Sequence, residues 1–229
     1  SIHPFILRRT KNEVAKDLPP KIEIDKVVDL APDQKAIYMQ VLREVRAQVL
    51  GEVERLGIAK SQLHILAGLT KLRQAACDPR LLGLPREFSH DDSGKLAALR
   101  ELVEEVDSGG HKVLIFSQFV SMLKLVRDAL DEDKIRYEYL DGSTIDRSER
   151  VDNFQNDPTI PVFLISLKAG GSGLNLTAAD TVIHFDPWWN PAVEDQASDR
   201  AHRIGQKKVV TIYRLVAAGT IEEKILQLK

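Results

Sequence analysis

Three side chains near the C-terminus have the types and spacing expected of a phosphate site. Gln196, Arg200 and Arg203 are separated by four and three residues, so a helix would place all three on one face. Guanidinium groups bind phosphate oxygens in a forked geometry, and two of them together suit a multiply charged phosphate. Arginines on a helix face are more often solvated and contribute little to stability. Within an α/β domain, we favour phosphate recognition.

A glycine-rich segment, residues 168–175, is a second candidate for phosphate contact. Gly171 and Gly173 would let backbone N–H groups approach a phosphate without a Cβ in the way. The segment lacks the Gly-Lys-Ser/Thr ending of a Walker loop and the full dinucleotide fingerprint. Taken alone, it is more typical of an ordinary turn.

The elements that would position these residues are short apolar runs separated by amphipathic stretches. The predicted strands are residues 112–116, 135–139, 162–166, 181–185 and 209–215. Apolarity that is continuous rather than alternating indicates burial on both faces, which is typical of a parallel sheet covered by helices. With right-handed crossovers, the fold class is α/β, with helices on both faces of a parallel sheet. Ligands of such sheets collect beyond the carboxyl ends of the strands, where the polar segments 117–119, 141–144 and 186–191 fall.

Three regions follow along the chain. Residues 1–30 are predicted to be a connecting segment with an edge strand at Ile22, Ile24 and Val27, and residues 93–229 form the sheet domain. Residues 31–92 are predicted to be a helical protrusion, in which a helix from Pro32 pairs as a hairpin with a second helix that follows a cap at Ser61. The second helix would pack through one apolar face, formed by Leu63, Leu66, Leu69 and Leu72.

Composition limits the partners and the cellular compartment. The 32 Lys and Arg residues nearly balance the 34 Asp and Glu residues, so any nucleic-acid contact must come from a local patch. The one cysteine, Cys77, excludes an internal disulfide framework and multi-cysteine zinc sites, and it fits a reducing compartment. No apolar run reaches the roughly 20 residues of a membrane helix. We expect no membrane association, and a cytoplasmic location in a prokaryote or a nuclear one in a eukaryote.

Five segments in order resemble helicase motifs IV to VI of the Swi/Snf family. They are residues 113–118 (VLIFSQ), 140–144 (LDGST), 165–176 (ISLKAGGSGLNL), 186–191 (DPWWNP) and 196–206 (QASDRAHRIGQ). Upstream, residues 5–9, 18–21 and 72–79 resemble the family's inter-lobe segment and helical protrusion. The resemblance covers essentially the whole chain, and five motifs in the right order are far more specific than any one of them.

The resemblance implies a RecA-like lobe that works with a second lobe. In the family, ATP is hydrolysed in a cleft between two such lobes. The first lobe supplies the phosphate loop, the Mg²⁺ site and the catalytic carboxylate, and the second supplies arginine fingers. The matching fingers are Arg200 and Arg203, with Gln196 orienting nearby and Gly171 and Gly173 approaching the nucleotide. Their task would be to neutralise charge on the transferring phosphoryl group.

The resemblance also implies a track for double-stranded DNA. The matching residues are Ser117, Gln118, Ser143, Thr144, Arg150 and Lys168, which would contact phosphates without reading sequence. Trp189 matches the tryptophan that the family presents toward the DNA. The alternative for Trp189 is a packed core aromatic, since most tryptophans are largely buried. His184 and His202 have no second ligand at helical or strand spacing, so we expect no metal site.

The chain departs from the family pattern in lacking a Walker loop and an Asp-Glu-x-His segment. We therefore expect half of an ATP-driven translocase or remodeller, monomeric, inactive alone, and dependent on the N-terminal RecA-like lobe of the same protein. Two alternatives are a non-catalytic nucleic-acid binding module and an RNA-dependent helicase. The intact arginines argue against the first, and the Trp-Trp-Asn-Pro segment with the helical protrusion argues against the second.

Overall fold

In the computed structural model, which describes residues 17–169 and 173–229, the strands form one parallel sheet. The strands are β1 (Lys21–Val28), β2 (Val113–Ser117), β3 (Tyr137–Leu140), β4 (Val162–Ser166), β5 (Thr181–His184) and β6 (Val210–Ala217). The helices are α1 (Pro32–Leu56), α2 (Gln62–Cys77), α3 (Gly94–Ser108), α4 (Val120–Glu132), α5 (Arg147–Asn156), α6 (Pro191–Ser198) and α7 (Ile221–Gln227). Single 3₁₀ turns cover Ile58–Lys60, Pro79–Leu82 and His90–Asp92.

The strand order is β1-β6-β5-β2-β4-β3, and every pair is parallel. The carboxyl ends of the neighbouring strands β2 and β4 are in register, with Ser117 of β2 opposite Ser166 of β4. The predicted edge strand is confirmed, because β1 pairs along its whole length with β6, from Lys21 opposite Val210 to Val28 opposite Ala217. Residues 21–28 thus belong to the same sheet as the strands between residues 113 and 217.

Both faces of the sheet are buried along β2, β4 and β5, and the all-parallel sheet with its helices confirms the predicted fold class. On one face, Ile115 and Leu164 belong to an apolar cluster with side chains of α3 and α4, such as Leu99 and Met122. On the other face, Phe116 and Phe163 join a cluster with side chains that include Phe154 of α5 and Ala197 of α6. Alternate residues of one strand therefore enter opposite cores, which is why these strands are apolar throughout.

The predicted hairpin of α1 and α2 is present, but its packing differs from the prediction. Leu63 and Leu66 are exposed, at 79% and 59%, whereas Leu72 is buried against α1. The helices meet closely at Gly68, where a Cβ would lie 2.5 Å from the Cγ1 atom of Val45. The absence of a side chain at position 68 lets the backbones approach, so the contact face is set by this glycine rather than by the leucine spacing.

Ser61 precedes α2 as predicted but does not cap it through its side chain. The Oγ atom shares its single hydrogen between Gly57 O at 2.8 Å and Glu52 O at 3.0 Å, both at the end of α1. The serine therefore fixes the connection between the two helices. At the end of the chain, Thr220 does cap α7, because its Oγ1 atom accepts a hydrogen bond from Glu222 N at 3.2 Å.

A fully buried ion pair joins the beginning of α3 to α7. Lys95 Nζ lies 2.6 Å from Glu222 Oε1 and also donates to Phe185 O at 2.6 Å, and neither charged side chain is exposed. Burial raises the pKa of the Glu222 carboxyl, and the neighbouring Lys95 opposes this shift. The other oxygen of Glu222 accepts a hydrogen bond from Ala217 N at 2.8 Å, at the end of β6.

Among the helices of the described ranges, none combines the length and apolarity that a bilayer crossing needs.

Candidate nucleotide and nucleic-acid site

The predicted site residues lie in two groups of segments. Ser117 ends β2, residues 141–144 follow β3, and residues 185–190 follow β5, so these segments share the carboxyl edge. The segment after α6 extends to the amino edge, because His202 Nε2 is 2.6 Å from Pro19 O, just before β1, and Gln206 Nε2 donates to Ala179 O at 2.8 Å, just before β5. The Arg200 guanidinium in this segment lies nearer the carboxyl edge, because it is 5.5 Å from the ring centre of Phe116, the residue before Ser117.

At the carboxyl edge, the carboxylate of Asp186 organises two neighbouring segments. Ser117 Oγ donates to Asp186 Oδ1 at 2.5 Å, and Gln118 N donates to Asp186 Oδ2 at 3.3 Å. Burial raises the pKa of the Asp186 carboxyl, while nearby Lys95 and Arg73 oppose the shift. Ser117 is buried and its hydroxyl is committed to Asp186, so this side chain is not presented to a ligand as predicted.

Ser143 and Thr144 lie in a turn that Asp141 holds together. Asp141 Oδ1 accepts from Ser143 N at 2.8 Å and from Ser143 Oγ at 2.6 Å, and Asp141 N donates to Thr144 Oγ1 at 2.9 Å. The hydrogen bond from the Ser143 hydroxyl is the main cause of a lowered pKa at Asp141. Tyr139 OH donates to the second Asp141 oxygen at 2.9 Å. Ser143 is thus exposed at the surface on a turn that is fixed from beneath.

The cations beside this turn differ from the prediction in one respect. Arg150 donates from Nη1 to Glu138 Oε2 at 3.1 Å, so its charge is already paired within the domain. Arg147 instead reaches toward the loop after β4, donating from Nη1 to Ala169 O at 3.0 Å and from Nε to Thr144 O at 3.3 Å. Lys168 in that loop is exposed. The structure therefore brings Arg147 and Lys168 to this edge more directly than Arg150.

Trp189 is 38% exposed, so it is not the fully buried core aromatic that was the alternative for this position. Trp188 is less exposed, and its backbone N donates to Glu194 Oε1 at 2.8 Å. Asn190 caps α6 by accepting from Ala192 N at 3.0 Å, which fixes the end of the tryptophan segment.

The helix expected to carry Gln196, Arg200 and Arg203 is shorter than predicted. α6 ends at Ser198, so Gln196 is exposed on the helix while Arg200 and Arg203 lie in the turn that follows. The cause is a set of tertiary hydrogen bonds to main-chain groups that would otherwise continue the helix. Arg200 O accepts from Leu176 N at 3.0 Å, and Ala201 O accepts from Gln206 Nε2 at 3.0 Å. The single-face prediction for the three side chains is wrong.

Arg200 is a buried cation without an anionic partner among the described residues. Its side chain is 7% exposed, its guanidinium carbon lies 5.5 Å from the centre of the Phe116 ring, and Nη1 has no hydrogen-bond partner in the described ranges. Burial lowers the pKa of Arg200 to about 10, so the group stays charged at neutral pH. A buried charge with an unused donor is costly unless an anion completes it.

Arg203 is exposed and lies against the same loop as Arg200. Its Nη1 atom is 3.5 Å from Gly173 O, and Gly173 has a φ of +113°, a backbone conformation that favours glycine. Gln206 adds a clamp, because its Nε2 atom donates to Thr177 O at 3.1 Å as well as to Ala179 O. Gly171, the other predicted nucleotide contact, lies outside the described residues. The arginine turn and residues 173–179 are therefore one hydrogen-bonded unit.

The two histidines considered as metal ligands, His184 and His202, instead contact other parts of the fold. His184 is buried, stacks on Phe116 with ring centres 5.5 Å apart, and lies 2.9 Å from Ser198 Oγ. Burial lowers the pKa of His184 to about 4, so the ring is neutral at pH 7. Within residues 17–169 and 173–229, no group of three or more His, Cys, Asp or Glu side chains is arranged to hold a metal ion.

A parallel sheet in this order, covered on both faces and carrying an arginine turn after α6, defines the class of RecA-like helicase C-terminal domains. A model of the helicase conserved C-terminal domain matches residues 94–205, and a model of the SNF2-related domain matches residues 1–81.

Individual proteins place the chain more narrowly. An uncharacterized ATP-dependent helicase of Mycoplasma pneumoniae is 42% identical over 99% of this chain, which covers 21% of that protein. The C-terminal domain of the Sulfolobus solfataricus SWI2/SNF2 ATPase is 36% identical, with a TM-score of 0.75 over 91% of this chain and 84% of that one. The Sulfolobus ATPase core solved with double-stranded DNA is 39% identical, with a TM-score of 0.78 over 99% of this chain and 48% of that one.

The chain therefore belongs to the SWI2/SNF2 family and has the fold of the family's C-terminal ATPase domain. It spans about a fifth of the length of the Mycoplasma relative.

Proposed function

We propose that this chain is the second motor lobe of an ATP-dependent translocase or remodeller of double-stranded DNA. It would supply arginine fingers and part of the DNA track to a protein whose first RecA-like lobe holds the phosphate loop and Mg²⁺. The family membership supports ATP use, and the Sulfolobus ATPase core solved with double-stranded DNA supports duplex DNA as the partner.

The observation that carries the proposal is Arg200. Its buried guanidinium has an unused Nη1 donor, and the arginine turn is fixed by Leu176 and Gln206. A guanidinium held in a poorly hydrated place stabilises charge that develops on phosphoryl oxygens and needs little reorganisation to do so. Arg203, exposed beside Gly173, would enter the same cleft from the surface. Gln196 on α6 would orient groups next to them.

The DNA track would run along the carboxyl edge of the sheet. Gln118, Ser143, Thr144, Lys168 and Trp189 would contact the backbone, largely without reading sequence. Arg150 would contribute if its ion pair with Glu138 opens, and Ser117 would act indirectly by fixing Asp186. Nucleotide-driven closure of the two lobes would then move one DNA grip relative to the other.

Two measurements on the complete protein test the proposal. ATPase activity should be stimulated by duplex DNA far more than by RNA, and equal stimulation would favour an RNA-dependent helicase.

Arg203→Ala should lower the ATPase rate by on the order of 10³, as arginine-finger losses do in other phosphoryl-transfer enzymes. Arg136→Ala is the control and should leave the rate unchanged, since Arg136 is an exposed arginine paired with Asp157. Unchanged turnover in both Arg203→Ala and Arg200→Ala would refute the finger roles.

A further inference from the structure

Arg73, on α2 of the hairpin, reaches into the tryptophan segment at the carboxyl edge of the sheet. The side chain is 3% exposed. Its Nη2 atom donates to Pro187 O at 2.9 Å and lies 3.5 Å from Asp186 Oδ2. A residue of the helical protrusion therefore contacts the two residues that directly precede Trp188 and Trp189.

Three aromatic rings surround the same guanidinium. Its central carbon is 5.2 Å from the ring centre of Trp188, 5.4 Å from that of Trp189 and 5.6 Å from that of Phe119. Cations within about 6 Å of a ring centre are attracted by the ring, and the planar guanidinium can stack where a lysine ammonium cannot. Phe119 follows β2 and the tryptophans follow β5, so Arg73 brings together aromatic side chains from two strand ends.

Arg73 contacts three aromatic rings, but it does not use all of its hydrogen-bond donors within the described residues. The Nε atom is buried and has no hydrogen-bond partner among the described residues. A buried unsatisfied donor costs free energy that a shorter or apolar side chain would avoid. The surroundings of Arg73 therefore suit a planar cation that contacts aromatic rings, although they leave its Nε donor unpaired within the described residues.

We infer that Arg73 is a positioning residue: it sets the orientation of Trp189 and joins the helical protrusion to the DNA-facing edge. This inference rests on the proposed function for its consequence, since Trp189 matters to activity only if that edge contacts DNA. The link through Asp186 extends the effect to Ser117 and Gln118, because the same carboxylate binds both. A movement of the hairpin is therefore transmitted to the grip on DNA.

Tryptophan fluorescence tests the positioning directly, because Trp188 and Trp189 are the only two tryptophans of this chain. Arg73→Lys keeps the charge but removes the planar group, and Arg73→Met removes both. We expect both variants to shift the emission to longer wavelength and to increase quenching by acrylamide. Arg86→Lys is the matched control, since Arg86 pairs with Asp33 and lies 5.1 Å from the Phe88 ring at the surface. Should Arg73→Met fail to fold, the spectra of Arg73→Lys decide.

DNA-stimulated ATPase of the complete protein tests the consequence. Arg73→Lys should raise the DNA concentration for half-maximal stimulation about tenfold, the scale of a lost aromatic contact to nucleic acid, with a smaller effect on the maximal rate. Arg86→Lys should change neither value. Unaltered spectra in the folded Arg73 variants would overturn the positioning role. Altered spectra together with normal DNA coupling in both Arg73→Lys and Trp189→Ala would leave the positioning in place and refute the proposed DNA role of this edge.

Discussion

A guanidinium that is buried without an anion lowers stability, and at Arg200 this cost can be measured. Nη1 of Arg200 has no hydrogen-bond partner in the part of the chain that the structure describes. Replacing a buried charge that lacks compensation by an apolar side chain of similar length is often stabilising. A residue that a function requires can lower the stability of the free protein in this way when its missing partner is a ligand.

We therefore expect Arg200→Met to raise the free energy of unfolding of this chain by about 1–3 kcal/mol, the usual cost of a buried unsatisfied group. The same substitution should abolish ATPase activity in the complete protein. Denaturant unfolding and steady-state ATPase assays measure the two effects. Arg214→Met is the control, because Arg214 binds Glu23 at 2.7 Å and Glu194 at 3.1 Å and its loss should destabilise the domain. A less stable Arg200→Met would show that Arg200 has a structural role.

Trp189→Ala separates gripping from packing. If Trp189 grips DNA, the complete protein should keep its ATPase activity and lose translocation, because removing the aromatic face weakens the contact to DNA rather than the proposed phosphoryl chemistry. A fully buried large aromatic costs roughly 3–5 kcal/mol on truncation, and we expect less here because the side chain is 38% exposed. Trp188→Ala, at the less exposed neighbour, should affect stability more. A strongly lowered melting temperature with normal translocation per ATP would assign Trp189 to packing.

At the scale of the elements, the buried ion pair of Lys95 and Glu222 joins α3 to α7. Its effect on the free energy of unfolding should be large when only one of the two partners is removed. Lys95→Met or Glu222→Met alone should cost about 3–5 kcal/mol, since each leaves an uncompensated buried group. The double substitution Lys95→Met with Glu222→Met should recover most of that loss. A double-mutant cycle of urea unfolding measures the coupling. Additive losses would mean that Phe185 O and Ala217 N, rather than the partner charge, dominate the two sites.

Sequence patterns located the strands well and the helix faces less well. Each of the five predicted strands overlaps an observed one because burial on both faces makes a continuous apolar run a strong local signal. The leucine face of α2 failed because close packing at Gly68 depends on another helix. The face of Gln196, Arg200 and Arg203 failed because tertiary hydrogen bonds end α6 at Ser198.

The residues that the sequence analysis missed at the site differ in whether a local pattern could have indicated them. Arg73 is separated from Asp186 by 113 positions, and no local pattern records a contact of that range. Asp141 and Asp186 could have been found, since each is a carboxylate within two residues of the end of a predicted strand and could accept neighbouring hydroxyl and amide donors. Arg147 is not distinguishable from Arg150 by spacing alone, because only the fold shows which one Glu138 binds.

At the scale of the whole molecule, folding and activity should separate. The chain has its own sheet and apolar clusters on both faces, so we expect it to fold alone with a cooperative unfolding transition. It should hydrolyse ATP no faster than background, because the phosphate loop and metal site are proposed to lie on the other lobe. Adding the purified first lobe should restore weak activity. Robust Mg²⁺-dependent turnover by this chain alone would contradict the two-lobe proposal.

The stretch between β4 and β5 leaves the carboxyl edge of the sheet at Leu167 and reaches the amino edge at Ala179, where Gln206 binds it. One covalent segment thus joins the surface proposed for DNA to the turn proposed for phosphate. Coupling between two binding sites is reciprocal at equilibrium, whatever its structural route. If the complete protein binds both ligands as proposed, any factor by which duplex DNA strengthens nucleotide binding would equal the factor by which nucleotide strengthens DNA binding, about 5- to 150-fold for a typical coupling of about 1–3 kcal/mol. A DNA track that ignores sequence would then still be sensitive to the cell's nucleotide supply.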